Sequence, residues 1–274
     1  MKYLVLGSSG QIGDALCNFL TEKEHEVLRF DIVDGKNYDL RIKDNTILKQ
    51  YIFDCDFIFF LAFDVGGSRY LKKYQHTYEF IDNNLKILTN TFDIIKEYKK
   101  PFIFASSQMS NMSFSPYGIT KSVGELLTKT LNGIVVKFWN VYGVEKDLDK
   151  SHVITDFILK AKNTGTIDML TDGKEERQFL YSYDCCEALH ILSQKYDDIS
   201  RDEQLHITNF EWNKIIEIAE IIQKEIPCKI VEGKVSDDIQ NNQKNKPDEY
   251  ILNFWKPKTS LLQGIKNIID YYKD

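Results

Sequence analysis

The run KYLVLGSSGQIG at residues 2–13 constrains this chain more than any other stretch. KYLVLG is a short apolar segment ending in glycine, the form of a strand buried on both faces of a parallel sheet. Gly7, Gly10 and Gly13 then lead into a helix predicted from Ile12 to about Lys23, with Ile12, Leu16, Phe19 and Leu20 on one face. Gly7 permits a sharp turn. Gly10 lets a pyrophosphate approach backbone N–H groups, and Gly13 lets the helix lie close to the sheet.

The same strand-then-helix unit recurs. Strands are predicted at 25–31, 55–63, 101–107 and 133–143, and helices at 75–99 and 117–131. So regular an alternation implies right-handed βαβ crossovers and a parallel sheet covered on both faces. After residue 144 the rhythm loosens. Helices are predicted at 151–163, 183–195 and 212–224, short strands at 166–170, 178–182 and 228–232, and a polar loop at 233–249. The α/β reading therefore divides the chain into a first domain at 1–144 and a smaller substrate-binding lobe at 145–274, some segments of which return to the first domain.

Charge and cysteine content exclude several classes. A net charge of -6 argues against a nucleic-acid partner, which needs concentrated Lys and Arg. Cys17, Cys55, Cys185, Cys186 and Cys228 contain no C-x-x-C spacing, so no metal or disulfide framework is expected, and the thiols read as reduced and cytoplasmic. The opening MKYLVLGSSG has too short an apolar run for a signal peptide, and no segment reaches the roughly 18 apolar residues of a membrane span.

Asp31 closes the second predicted strand, 18 residues after Gly13, where an acid accepts hydrogen bonds from the two hydroxyls of an adenosine ribose. A 2′-phosphate would meet that carboxylate badly, so NAD is expected in preference to NADP. Arg29 alternates to the other side of the strand and is not counted as a phosphate ligand.

G-x-x-G-x-x-G, with YGITK at 117–121 downstream, resembles the short-chain dehydrogenase/reductase superfamily. DL at 39–40, FLAF at 60–63, DNNL at 82–85, SS at 106–107, KFWNVYG and DGKEERQFLYSYD resemble its extended, NAD-dependent epimerase/dehydratase branch, which acts mainly on nucleotide sugars. The resemblance covers nearly the whole chain and implies a Rossmann-type doubly wound sheet. It counts Gln11 and Ile12 with the glycines as NAD contacts, sets Asp39 and Leu40 beside the adenine, and lines the dinucleotide with Leu61, Ala62 and Phe63. Asn83 would lie near the nicotinamide side with Trp139 beside it. Asn140 would touch the nucleotide-sugar substrate, and Arg177 its pyrophosphate.

Tyr117 and Lys121 lie one helical turn apart and share a side. An ammonium beside a phenol lowers the phenol pKa, so Tyr117 is expected to take a hydroxyl proton while hydride leaves the same carbon. Lys121 can also hold the nicotinamide ribose, and Ser107 would hydrogen-bond the same substrate oxygen. Relatives that dehydrate the sugar carry an Asp-Glu pair after that serine. Here Gln108 and Met109 stand instead, and neither shuttles a proton. Hydride transfer at one hydroxyl carbon, most often C4, is what remains, as a 4-epimerase or dehydrogenase; a 4-ketoreductase or a non-catalytic NAD-binding regulator are the alternatives. VGG at 65–67 resembles the GDP-sugar branch. Lys137 stands where relatives often carry arginine, and the arginine expected near 246 is replaced by Lys244 and Lys246. Relatives pair the helices at 75–99 and 117–131 across a homodimer, which is expected here too.

Overall fold

The protein is described from a computed structural model, which covers residues 1–148, 151–235 and 245–272. Lys244 and residues 236–244 of the predicted polar loop lie outside the described residues.

The first half is built from β1 (Lys2–Leu6), α1 (Gln11–Glu22), β2 (Glu26–Phe30), α2 (Thr46–Asp54), β3 (Phe57–Phe60), α3 (Ser68–Tyr74), α4 (Tyr78–Tyr98), β4 (Phe102–Ser107), α5 (Pro116–Thr130) and β5 (Ile134–Phe138). Then come β6 (Asn140–Tyr142), α6 (Val153–Thr164), β7 (Thr166–Asp168), β8 (Glu176–Arg177), β9 (Phe179–Tyr181) and α7 (Ser182–Gln194). The chain continues through β10 (Leu205–Ile207), β11 (Asn213–Lys214), α8 (Ile215–Glu225), β12 (Lys229–Val231) and α9 (Leu261–Tyr271).

Six strands form one sheet in the order β10-β5-β4-β3-β1-β2, and every neighbouring pair is parallel. Residues alternate between its faces. Leu4, Leu6, Ile58, Phe60, Phe102 and Phe104 pack with Leu48 and Ile52 of α2 and Leu88 and Phe92 of α4. Tyr3, Val5, Phe57, Phe59 and Ile103 pack on the other face with Leu16 and Leu20 of α1 and Leu189 and Leu192 of α7. Burial on both sides is why these strands read as continuous apolar runs rather than as an alternating pattern. The strand order reverses direction between β1 and β3, and in such sheets ligands bind outside the carboxyl ends of the strands at that point.

The predicted strand at 133–143 is two strands. It breaks at Trp139, because β5 pairs with β4 and β10 in the sheet whereas β6 leaves to pair with β9. The predicted helix at 75–99 begins at Tyr78, where the Thr77 hydroxyl accepts from the Phe80 N–H and caps it. Six elements have no counterpart in the sequence reading: α2, α3, β8, β10, β11 and α9, and the predicted helix at 212–224 begins only at Ile215, after β11. A second core joins Phe157 and Ile158 of α6, Ile218 and Ile222 of α8, and Ile265 and Ile268 of α9.

Cys17, Cys185 and Cys186 lie in the core between α1 and α7. Burial pushes the Cys17 thiol up to about 12 and raises Cys185 and Cys186 as well, which suits inert packing thiols. Among the described residues no helix is long and apolar enough to cross a membrane, and no three His, Cys, Asp or Glu side chains converge to hold a metal ion.

Candidate active site

A cleft of about 600 Å³ opens at the carboxyl ends of β1, β2, β3, β4 and β5. At one end is the glycine loop. Gly7 has φ +84°, and a Cβ there would stand 2.7 Å from the Ala62 backbone; a Cβ on Gly13 would stand 1.9 Å from the Gly7 carbonyl oxygen. Both glycines are therefore demanded by packing within the chain. Gly10 is different, because its Cβ would meet only the Gly7 oxygen at 3.4 Å. Its glycine leaves room on the cleft side, and the buried Gln11 Nε2 lining the same cleft has no hydrogen-bond partner. An open backbone and an unused donor suit a pyrophosphate.

Asp31 directly follows β2 at the lip of the cleft. Its carboxylate accepts from the Ser9 N–H at 3.0 Å and the Val33 N–H at 3.2 Å, which fixes its orientation beside the loop. Arg29 points elsewhere, pairing with Asp14 at 2.5 Å and donating to the Ser8 carbonyl. Beyond Asp31 the cleft is lined by Ile12, Asp39, Leu40, Leu61, Ala62, Phe63 and Asn83.

These residues are knit by one that the sequence reading missed. Arg41 grips the Asp39 carboxylate with Nε and Nη2 and donates from Nη1 to Asn83 Oδ1 at 2.9 Å. Burial alone would raise the Asp39 pKa, but Arg41 outweighs it and holds the carboxyl below its usual range. Asn83 in turn donates to Asp64, which also receives the Tyr70 hydroxyl at 2.6 Å. Arg41 directly follows the DL pair at 39–40, so its place was legible; Asp64 carried no such signal.

At the other end stand Ser107, Tyr117 and Lys121, all buried. Ser107 is the last residue of β4, and its Oγ accepts from the Met109 N–H at 3.1 Å. Tyr117 enters α5 directly after Pro116, under a cap in which the Ser115 hydroxyl accepts from the Gly118 N–H. A Cβ on Gly118 would lie 2.1 Å from the Met109 carbonyl oxygen, so glycine there lets α5 press against the turn that follows Ser107.

The expected effect of Lys121 on Tyr117 is not what the protein alone produces. Burial raises Tyr117 against the pull of a Ser107 hydrogen bond, leaving it at about 12. Burial also draws Lys121 down to about 7, opposed by Glu125. Lys121 Nζ donates to the Ala105 carbonyl at 2.6 Å and lies 3.7 Å over the Phe63 ring, but 5.9 Å from the Tyr117 ring centre. The two side chains share a side of the helix, and desolvation dominates both.

Trp139 and Asn140 line the cleft at the β5–β6 break. The Trp139 indole donates to His206 of β10 at 3.1 Å, and Asn140 Nδ2 donates to the Gln178 carbonyl. Asn83 and Trp139 thus share the cleft but have different neighbours. Arg177 is set apart on β8, paired with β11, and donates to the Glu176 carbonyl; it does not line the cleft. Gln108 and Met109 do line it, and the Asn245 amide clasps Gln108 at both its backbone and side-chain oxygens, each at 2.7 Å. Glu145 and His152, absent from the sequence reading, also face the cleft and meet at 2.6 Å. Burial opposes ionisation of Glu145, but His152 overcomes it and holds the carboxyl below its usual range.

The sequence profile of the NAD dependent epimerase/dehydratase family matches residues 3–208. The chain belongs to that family. It is accordingly an enzyme with NAD as cofactor, and the cradle of Gly10, Gln11 and Asp31 fits the group. A curated relative, the uncharacterized UDP-glucose epimerase YtcB of Bacillus subtilis (strain 168), is 25% identical over 99% of this chain and 98% of its own length. Among solved structures, the epimerase Mth375 of Methanothermobacter thermautotrophicus matches with TM-score 0.84 and 19% identity, covering 99% of this chain and 91% of the other. A GDP-6-OMe-4-keto-L-xylo-heptose reductase from C. jejuni matches with TM-score 0.84 and 17% identity, covering 99% and 97%. The structural likenesses share the Rossmann fold seen here.

One prediction arises from Asp31. Asp31→Ala is expected to weaken NAD binding by about tenfold or more, through loss of charge-assisted bonds to the ribose. It should also narrow the gap between NAD and NADP. Titration calorimetry with both nucleotides checks it; an unchanged ratio would remove the carboxylate from cofactor choice.

Proposed function

We propose that the protein transfers hydride between NAD and C4 of a nucleotide-linked sugar, with Tyr117 as the acid/base. The observation that carries this is one cleft holding both the glycine loop with Asp31 and the Ser107, Tyr117 and Lys121 set. When bound, NAD supplies the hydride acceptor. Tyr117 Oη takes the proton of the sugar hydroxyl as the C–H electron pair leaves, turning the alcohol into a ketone. Ser107 Oγ holds that oxygen throughout, and Lys121 steadies the nicotinamide ribose. Return of hydride to the other face gives a 4-epimerase; release of the ketone gives a dehydrogenase, and the reverse a reductase. The names of the relatives, an epimerase of UDP-glucose and a reductase of a 4-keto sugar, support a nucleotide-sugar substrate. Asn140 in the cleft is the substrate contact favoured here, and Arg177 is assigned to the pyrophosphate on the resemblance alone.

Dehydration is disfavoured because Gln108 is an amide held by Asn245 and Met109 is a buried thioether. A second reading rests on Glu145 and His152: this pair could exchange a proton on a carbon beside the ketone. One experiment separates the readings. The enzyme is incubated with nucleotide-sugars in heavy water and the product is examined by NMR. Inversion or oxidation at C4 without deuterium on carbon supports hydride transfer alone. Deuterium beside C4 establishes the second reading, and loss of water would sink the argument from Gln108 and Met109.

The same reading extends to assembly. Leu85 of α4 and Ile119 and Leu126 of α5 are exposed. A homodimer is expected to cover them, and Leu126→Glu should shift the mass measured by light scattering to that of one chain.

A further inference from the structure

One turn beyond Lys121 on α5 stands Glu125, whose carboxylate is mostly buried and faces the back of the catalytic helix rather than the cleft. Its Oε1 accepts the Ser106 hydroxyl at 2.5 Å, and its Oε2 pairs with Lys137 of β5 at 3.4 Å. The Lys137 side chain is only 5% exposed, and its Nζ donates to Asn111 Oδ1 at 3.0 Å. A buried carboxylate is thus fixed between α5, β4 and β5. It touches the residue directly before Ser107 and sits at i+4 from Lys121. Such an arrangement is costly to desolvate unless every partner is in place.

We propose that Glu125 is a positioning residue that, through its bond to Ser106 and its pairing with Lys137, holds α5 in register with the end of β4 and so sets where Lys121 stands for the cofactor. The inference rests on the reading of Lys121 as the nicotinamide-ribose ligand. Lys121 has few other polar supports. Its Nζ has the Ala105 carbonyl, and the Phe63 and Phe104 rings lie against it. Burial pulls its pKa to about 7, and Glu125 is what opposes that pull. The remaining charged or titratable groups around the pair are Tyr117 and Lys129 on α5, Lys137 on β5, and Arg201 and Glu203 across a small hollow that Glu125 lines. From α4 the neighbour is apolar: Leu88 packs at Gly124. Tyr117, when neutral, adds no charge, and Lys137, Lys129 and Arg201 would all favour deprotonation of Lys121. Glu125 is the nearby group of helpful sign that is built into the core.

The sign of the effect follows. An ammonium donates to the ribose hydroxyls, so NAD affinity should fall as pH rises through the Lys121 titration. Glu125→Gln removes the favourable charge while keeping the shape. It should move that fall to lower pH by about one unit, the order expected when an opposite charge beside a buried ammonium is removed. Glu125→Asp should restore most of the wild-type midpoint. Ser106→Ala, which keeps the charge but frees it from β4, should move it part of the way.

The test is NAD affinity by calorimetry between mildly acidic and alkaline pH, with circular dichroism as a check of folding. Lys121→Met is run alongside and should lose the pH-dependent fall. If the fall persists in Lys121→Met, both the ribose role of Lys121 and this inference fail. If it disappears there but stays at the wild-type pH in folded Glu125→Gln, the inference alone fails. Should Glu125→Gln not fold, a wild-type midpoint in Ser106→Ala overturns the inference equally.

Discussion

Tyr117→Phe is expected to lower kcat by about a thousandfold, within the range that a positioned acid/base supplies, while NAD affinity stays nearly unchanged. The hydroxyl is the only atom lost. The ring remains packed with Phe63, Met109 and Met112, so the helix start and the cleft wall stay in place. Loss of the Ser107 hydrogen bond costs about 1 kcal/mol, too little to unfold the protein. The measurement is turnover of a nucleotide-sugar beside calorimetric NAD binding for the two proteins. A variant within tenfold of wild type would remove Tyr117 from the proton transfer and pass that role to another group facing the cleft, with Glu145 and His152 first in line. The pH dependence is also informative. Burial, opposed in part by Ser107, leaves the phenol near 12. An acid limb well below that in the loaded enzyme would therefore measure how far the bound cofactor's positive ring, together with Lys121, lowers it.

The second large effect separates two glycines that look alike in sequence. Gly13→Ala should destabilise the protein by about 3 kcal/mol or more, because its Cβ would lie 1.9 Å from the Gly7 carbonyl oxygen, and backbone has to move to relieve that overlap. Gly10→Ala should leave stability within about 1 kcal/mol of wild type, since its nearest contact at 3.4 Å is tolerable and its φ is negative. Its methyl group would nevertheless occupy the side of the loop proposed to receive the pyrophosphate, and NAD affinity should fall by about tenfold or more. Denaturant unfolding and calorimetry on both variants read the two effects separately. Equal destabilisation by both would mean that Gly10 serves packing alone.

The alternation of strand and helix through β5 was legible because a strand buried on both faces leaves a continuous apolar run, as in VLGS-bounded β1 and FIFF of β3. The elements that were missed lack such a signature. β10 is three residues long, and pairing with β5 makes it a strand. α9 has an apolar stripe, Leu261, Ile265, Ile268 and Ile269, whose place is set by packing in the second core far from the polar stretch before it. The break at Trp139 has no mark in GIVVKFWNVYG, since it exists only because β6 finds its partner in β9, far along the chain. The site divides in the same way. Gly7, Gly10 and Gly13, and again Tyr117 and Lys121, sit at short fixed spacings, and Asp31 and Ser107 each close a predicted strand, so all of them could be picked out in the sequence. Arg41, Glu125, Glu145 and His152 gain their meaning from neighbours brought together by the fold.

The sequence by itself determined the layered parallel architecture, the glycine loop and the Ser107, Tyr117 and Lys121 set proposed to serve hydride transfer. Each depends on local spacing: two residues per pleat, four per helical turn, three between glycines. Tertiary structure alone decided which way burial shifts those side chains and the company they keep. Desolvation, not the i+4 neighbour, dominates Tyr117 and Lys121. The Arg41–Asp39–Asn83 network and the clasp of Asn245 on Gln108 both join segments that folding brings together. Burial and long-range pairing are properties of the packed molecule, and no local pattern encodes them.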